Sequence, residues 1–295
     1  MIGTNGLAVR RCTEVLTNLI SLRKVVADWK SQGLTIALVP TMGALHLGHI
    51  ELVRHALSTA DRVIASIFVN PIQFAPEEDF QSYPRRQCED LSMLSNLGVD
   101  AVYTPNTKEM YSKSFQTMVE VPELSAVLCG KTRPKHFSGV ATIVVKLLQQ
   151  SQADFAVFGE KDFQQLSIIR QVVIDLDIPV KIIGVPTVRD KDGLALSSRN
   201  AYLTEVERVL APKLHSELLC VVEDVVNGEG ALLRCQKATD FLLQEGFLKV
   251  DYLEIRDSNT LSIVISKKNT ARVFCAAYLG KTRLLDNIPL LVGEN

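Results

Sequence analysis

Apolar residues recur along this chain at two alternating spacings. Over residues 14–29, Val15, Leu16, Leu19, Ile20, Leu22, Val25 and Val26 return every three or four positions, which predicts an amphipathic helix. Residues 35–39 (TIALV) are instead a short continuous apolar run, as in a strand buried on both faces. The cycle repeats: a helix is predicted over 48–60, a strand over 62–69, a helix over 87–97, a strand at 101–103 and a helix over 139–149. A strand at 154–158, a helix over 164–176 and a strand at 180–185 follow. Strands alternating with helices imply a parallel sheet with right-handed crossovers. The expected fold is therefore α/β: a doubly wound, Rossmann-like domain over residues 1–188.

Beyond Arg189 the texture changes. Residues 205–227 and 232–245 read as helices around the turn Asn227-Gly228-Glu229-Gly230, then 249–256 and 271–279 as strands split by a polar segment at 267–270. This predicts a smaller C-terminal α+β domain over 189–295.

Composition narrows the function. Net charge is −1 and no basic stripe is visible, which argues against a nucleic-acid partner. The six cysteines form no C-x-x-C pair, as expected of reduced thiols in a cytoplasmic protein rather than a disulfide or zinc scaffold. The N-terminus MIGTNGLAVRRCTEV lacks the apolar run of a signal peptide. Residues 31–50 carry no Lys, Arg, Asp or Glu, yet Pro40, Gly43, Gly48, His46 and His49 argue against a lipid-facing helix. A buried strand leading into a functional loop is the better reading, with no membrane association.

That loop is Pro40-Thr41-Met42-Gly43-Ala44-Leu45-His46-Leu47-Gly48-His49, between a predicted strand and the head of a predicted helix. Ligands of open α/β sheets sit at the carboxyl ends of strands, where a helix N-terminus offers free N–H groups to phosphate. The spacing also fits two structural histidines, or a zinc pair lacking an evident third ligand. Gly159-Glu160-Lys161-Asp162-Phe163-Gln164-Gln165 is placed the same way: Lys161 could neutralise phosphate, Asp162 accept from ribose hydroxyls, and Gln165 read a substrate hydroxyl or carboxylate. First-turn acids countering a helix dipole are the plainer alternative. Asp190 to Asn200 (DKDGLALSSRN) holds Ser197, Ser198 and Arg199, which suit a phosphate clamp or a linker with a serine cap. Asn70 and Gln73, in FVNPIQF, are amide readers or turn formers, and Arg133 and His136 lie in a basic loop before a helix.

Together these segments resemble the pantothenate synthetase family of pantoate–β-alanine ligases. VPTMGALHLGH resembles that family's version of the HIGH signature of adenylate-forming enzymes. FVNPIQF, Ser82–Arg85 (SYPR), RPKHFSGVATIV, FGEKDFQQL and KDGLALSSRNAYLT match in order and spacing. The resemblance fades after Tyr202 and in the N-terminal helix. Leu47 stands where an acidic residue is common, and Glu89 and Asp90 remain without a role.

The resemblance implies an AMP-forming ligase acting through a pantoyl-adenylate, with ATP as co-substrate, Mg²⁺ accompanying it, no resident metal and no prosthetic group. It implies a cytoplasmic homodimer whose C-terminal domain serves partly as a lid. ATP is expected along Met42, Gly43, Ala44, Leu45, His46, Leu47, Gly48 and His49, along Gly159, Glu160, Lys161 and Asp162, and along Val188, Leu196, Ser197, Ser198 and Arg199. His49, His46, Lys161 and Arg199 are the catalytic candidates, with Lys161 and Arg199 expected to face solvent. Gln73 is expected on pantoate and β-alanine, and Gln165 on pantoate; Asn70, Arg133 and His136 are weaker candidates. Rival readings are a related nucleotidyltransferase, a tRNA-charging enzyme, which the net charge disfavours, and a nucleotide sensor without catalysis.

Overall fold

The structure is a computed structural model that describes residues 12–265 and 270–290. The polar segment at 267–270, except Thr270, lies outside the described residues, as does the N-terminal stretch before Cys12. Six parallel strands form one sheet in the order β1-β4-β3-β2-β5-β6. They are β1 (Glu14–Leu16), β2 (Ile36–Thr41), β3 (Arg62–Ile67), β4 (Ala101–Tyr103), β5 (Phe155–Gly159) and β6 (Lys181–Val185).

The apolar run in β2 has a direct cause. Ile36 and Leu38 pack against α1 (Leu19–Ser31), α7 (His136–Ser151) and α8 (Phe163–Asp175). Ala37 and Val39 point the other way, against α2 (Leu47–Thr59) and α3 (Gln87–Leu97). Alternate residues face opposite layers and both layers are covered, so Ile36 to Val39 are all apolar. Three one-turn helices, α4 (Thr107–Met110), α5 (Pro122–Ser125) and α6 (Cys129–Thr132), line the connection from β4 to α7.

A second, antiparallel sheet contains β7 (Lys249–Asp257), β8 (Ala271–Leu279) and β9 (Thr282–Pro289). The helices α9 (Glu205–Leu210), α10 (Lys213–Val226) and α11 (Ala231–Gln244) precede it, and α10 and α11 pack on it to make a separate core. Leu261 and Phe274 join the core of the large sheet instead. The small sheet is thus covered on both sides, which accounts for the long buried run in β8.

Several sequence expectations need correction. The pattern over 14–29 begins with an edge strand, not a helix: Asn18 caps α1 by accepting from the Ser21 amide at 2.9 Å, so Val15 and Leu16 precede the helix. The predicted helix over 205–227 is two helices, α9 and α10, because Pro212 has no N–H and its ring obstructs the preceding turn. β9 has no counterpart among the predicted strands. It follows a tight turn at Gly280 (φ +52°) and buries Asp286 and Asn287, so the apolar pattern of a strand is interrupted.

Candidate active site at the switch point of the large sheet

Strand order reverses beside β2, which has β3 on one side and β5 on the other. The loops leaving β2 and β5 therefore open into one crevice at the carboxyl ends of the strands, where doubly wound sheets bind ligands. A cavity of about 290 Å³ lies there, and the small sheet and residues 186–200 close it from the other side.

The β2–α2 loop turns through Gly43 (φ +80°) and Ala44 (φ +49°). A Cβ on Gly43 would come within 2.9 Å of Asp90 Oδ2, so glycine is needed for both its backbone angle and its close approach. Asp90, on α3, is buried and accepts from the Ala44 and Leu45 amides at 2.9 and 2.8 Å, while the Gly43 amide donates to Thr41 Oγ1 at 3.2 Å. These three amides are engaged within the protein. Asp90 is the anchor of the loop, a part that local sequence does not assign to it.

The loop presents two imidazoles with ring centroids 4.1 Å apart. The Gly48 amide donates to His46 Nδ1 at 3.1 Å, and the His46 amide to His49 Nδ1 at 3.3 Å. An amide can only donate, so each Nδ1 is an acceptor and each neutral ring carries its proton on Nε2. Metal-bound histidines usually show the reverse, with the second nitrogen donating to a carbonyl or carboxylate. Burial lowers the pKa of His46 to about 4 and of His49 to about 3, helped by Lys161 and, for His49, by His46. The pair offers neutral N–H donors.

Across the cavity, Lys161 stands on the turn between β5 and α8, its ammonium 3.8 Å from the Asp162 carboxylate. Burial would raise the pKa of Asp162, but Lys161, Arg199, His136 and Arg133 outweigh it and hold the group below the usual carboxylate range. The Asp162 side chain lines the cavity and is 47% exposed. Arg199 forks onto Asp79 at 2.8 and 2.9 Å and lies over the Tyr83 ring. Ser197 accepts from the Arg199 amide, which is the serine cap that the segment's sequence allows, and Ser198 donates to the Ala44 carbonyl at 3.1 Å. This last bond ties the 197–200 segment to the histidine loop.

The third wall reads amides. Gln73 donates to Met42 Sδ at 3.0 Å and accepts from Asn70 Nδ2 at 3.0 Å. Asn70 is buried at the cavity wall, where it also donates to the Gly139 carbonyl and accepts from the Tyr111 hydroxyl, so it orients Gln73. Arg133 forks onto Glu78 and approaches His136 Nε2 at 3.2 Å, leaving His136 Nδ1–H to donate to the Gln73 carbonyl at 2.9 Å.

The cavity gathers Met42, His46, Gly48, His49, Asn70, Gln73, Arg133, His136, Gly159, Lys161, Asp162, Gln165, Val188, Leu196, Ser197, Ser198 and Arg199 from five separate stretches of sequence. It does not gather Gly43, Ala44, Leu45, Leu47 or Glu160. Gly43, Ala44 and Leu45 have their amides engaged as described, Leu47 is 63% exposed, and the Glu160 carboxylate pairs with Arg272 at 3.1 Å. Nor do Lys161 and Arg199 face open solvent, with side chains 20% and 30% exposed. Glu78, Asp79 and Asp90 carry no local signal of a role, because each bonds a partner far along the chain.

A family model described as pantoate-β-alanine ligase matches residues 14–289. The chain belongs to the pantoate–β-alanine ligase family. It is therefore an enzyme that forms an amide bond. It is 49% identical to the pantothenate synthetase of Paramagnetospirillum magneticum over 274 residues, covering 93% of this chain and 96% of that one. The identity to the enzyme of Dinoroseobacter shibae is 50% over 277 residues, covering 94% and 99%. Among solved structures, a pantothenate synthetase of Thermus thermophilus superposes with a TM-score of 0.89 at 39% identity, covering 95% of this chain and all of that one. A pantoate–β-alanine ligase from Francisella tularensis, complexed with β-γ ATP and β-alanine, gives 0.80 at 36% identity, covering 95% and 98%.

The electrostatics of this ligase predict a pH effect on stability. Burial, with Arg133 beside it, also lowers the pKa of His136 to about 4. His46, His49 and His136 thus titrate well below the 6.5 of an unfolded histidine, so below pH 6.5 the unfolded chain binds more protons than the folded one. Stability is expected to fall as pH drops from 6.5 toward 4, by at most about 1.4 kcal/mol per pH unit for each histidine. Urea midpoints at pH 7.5 and 5.5 test this, and His136→Gln should remove about a third of the difference. A midpoint unchanged across that interval would contradict the assignment of all three rings as neutral.

Proposed function

We propose that this ligase condenses pantoate with β-alanine in two steps, of which the first consumes ATP. A pantoate carboxylate oxygen attacks the α-phosphorus of ATP, forming pantoyl-adenylate and releasing pyrophosphate. The β-alanine amine then attacks the acyl carbon, its surplus proton passes to solvent, and AMP leaves. Phosphoryl and acyl-phosphate chemistry of this kind needs positioning and charge stabilisation more than a protein nucleophile.

The observation that carries the reading is the pair of Nε2–H donors, His46 and His49, facing Lys161 across one cavity at the switch point. Under this reading His46, His49, Lys161, Ser198 and Arg199 contact the phosphates, and Ser197 presents Arg199 to them. Gly159 and Asp162 hold the ribose, and Val188 and Leu196 line the adenosine. Gln73 and Gln165 hold pantoate, and Gln73 also reaches β-alanine. The Francisella tularensis ligase holds β-γ ATP and β-alanine on a closely similar fold, which supports the choice of both.

Mg²⁺ accompanying ATP would lower the negative charge that the attacking carboxylate meets. We further place the start of the lid near residue 189, where the chain leaves the large sheet. The working form is taken to be a cytoplasmic homodimer, on family resemblance. Among the described residues no helix is long and apolar enough to cross a membrane.

A separate adenylation step predicts exchange of labelled pyrophosphate into ATP that requires pantoate and proceeds without β-alanine. Exchange seen only when β-alanine is added would rule out a free-standing adenylate.

A further inference from the structure

Lys161 is a flexible cation, and where its ammonium sits depends on how its backbone is held. The turn at Glu160–Asp162 is a single 3-10 turn with no side-chain cap of its own. Its carbonyls are held from β9, in the other sheet. Asn287 Nδ2 donates to the Lys161 carbonyl at 2.8 Å and to the Glu160 carbonyl at 3.0 Å, using both of its hydrogens on consecutive residues.

Asn287 is itself immobilised. It is buried, opposite Phe274 in the β8–β9 ladder. Its Oδ1 accepts from Arg272, which bonds Glu160 through its other terminal nitrogen and lies 4.0 Å from the centroid of the Phe163 ring. Its backbone amide donates to Asp286 Oδ1 at 2.8 Å, and Asp286 is clamped by both terminal nitrogens of Arg189 at 2.6 and 2.8 Å. Arg189 begins the segment that carries Ser197, Ser198 and Arg199. The neighbours Asp286 and Asn287 thus reach both cationic segments of the cavity.

We propose that Asn287 is a positioning residue for adenylation: it fixes the Glu160–Lys161 backbone and so sets where the Lys161 ammonium meets the phosphates. This rests on the reading of Lys161 as a phosphate-binding cation. No other common side chain reproduces the contact. Aspartate would set oxygens against two carbonyls, serine has one donor, and glutamine is a methylene too long for the space.

The test is a double-mutant cycle in pantoate-dependent pyrophosphate exchange, with melting temperatures alongside. Asn287→Ala is expected to lower kcat about 10- to 100-fold, the scale of a displacement of about an ångström, with KM for pantoate nearly unchanged. Asn287→Ser should lose less. In a Lys161→Ala background, Asn287→Ala should cost no more than about twofold further, because the group it positions is gone. A general structural defect would lower both backgrounds equally. Equal losses in both backgrounds, wild-type rates in both Asn287 variants, or failure of both to fold would overturn the inference. A wild-type rate in Lys161→Ala alone would overturn the phosphate reading as well, so the two failures are distinct.

Discussion

Replacing Lys161 with alanine is expected to slow pyrophosphate exchange by about 10²-fold or more while the melting temperature barely moves. Its ammonium is 3.8 Å from Asp162, too far for a short charge-assisted bond, so the folded protein loses little when the side chain goes. The transferring phosphoryl group loses a preorganised positive charge. Arg199→Ala should slow the reaction comparably but by a different route. Its guanidinium is already forked onto Asp79, so an incoming phosphate must compete with that carboxylate. Losing Arg199 also leaves Asp79 unneutralised beside an anionic ligand. The expected signature is therefore a raised KM for ATP together with a lowered kcat, whereas Lys161→Ala acts chiefly on kcat. The pair is mostly buried, so Arg199→Ala should also lower the melting temperature more than Lys161→Ala does. Steady-state kinetics in ATP, read beside thermal melts, separate these outcomes. A wild-type rate in either variant would remove that residue from the mechanism.

Much of this site is legible in the sequence because ligand loops in a doubly wound sheet follow strands. The apolar runs at 35–39 and 154–158 mark strands, and the glycines, histidines and lysine just beyond them must lie at the carboxyl edge. Local patterns do not show what holds those loops. Asp90 is one helix residue among other polar ones until Gly43 and Ala44 turn two amides onto it. Glu78 and Asp79 read as loop acids until Arg133 and Arg199 reach them across the fold. Asn287 is hidden more deeply, because β9 buries polar residues against the turn at Lys161 and so breaks the alternation that identifies a strand. The parts of the site that contact ligand are local signals. The parts that orient them are long-range pairings.

A local contact, by contrast, sets the expected behaviour of His49. His49→Ala should lower kcat by about 10²- to 10³-fold, the usual loss for one donor aimed at charge developing in a transition state. Negative charge grows on the α-phosphoryl oxygens and the departing pyrophosphate, where Nε2–H donors can meet it. The His46 amide donates to His49 Nδ1, so the ring is held as the Nε2–H tautomer, and burial keeps it neutral down to about pH 3. Hydrogen bonding, not a full charge, is then what the residue supplies. Two consequences distinguish this from an imidazolium or a zinc ligand. His49→Gln, which keeps an N–H donor, should retain part of the rate, and the kcat–pH profile should show no acid limb near 6.5 from this ring. EDTA should inhibit by removing Mg²⁺, with added Mg²⁺ alone restoring the rate, while a zinc-selective chelator should do nothing. Restoration by Zn²⁺ only, or a His49→Gln variant as slow as His49→Ala with an acid limb near 6.5 in the parent, would replace the neutral-donor account with metal binding or with a charged imidazole.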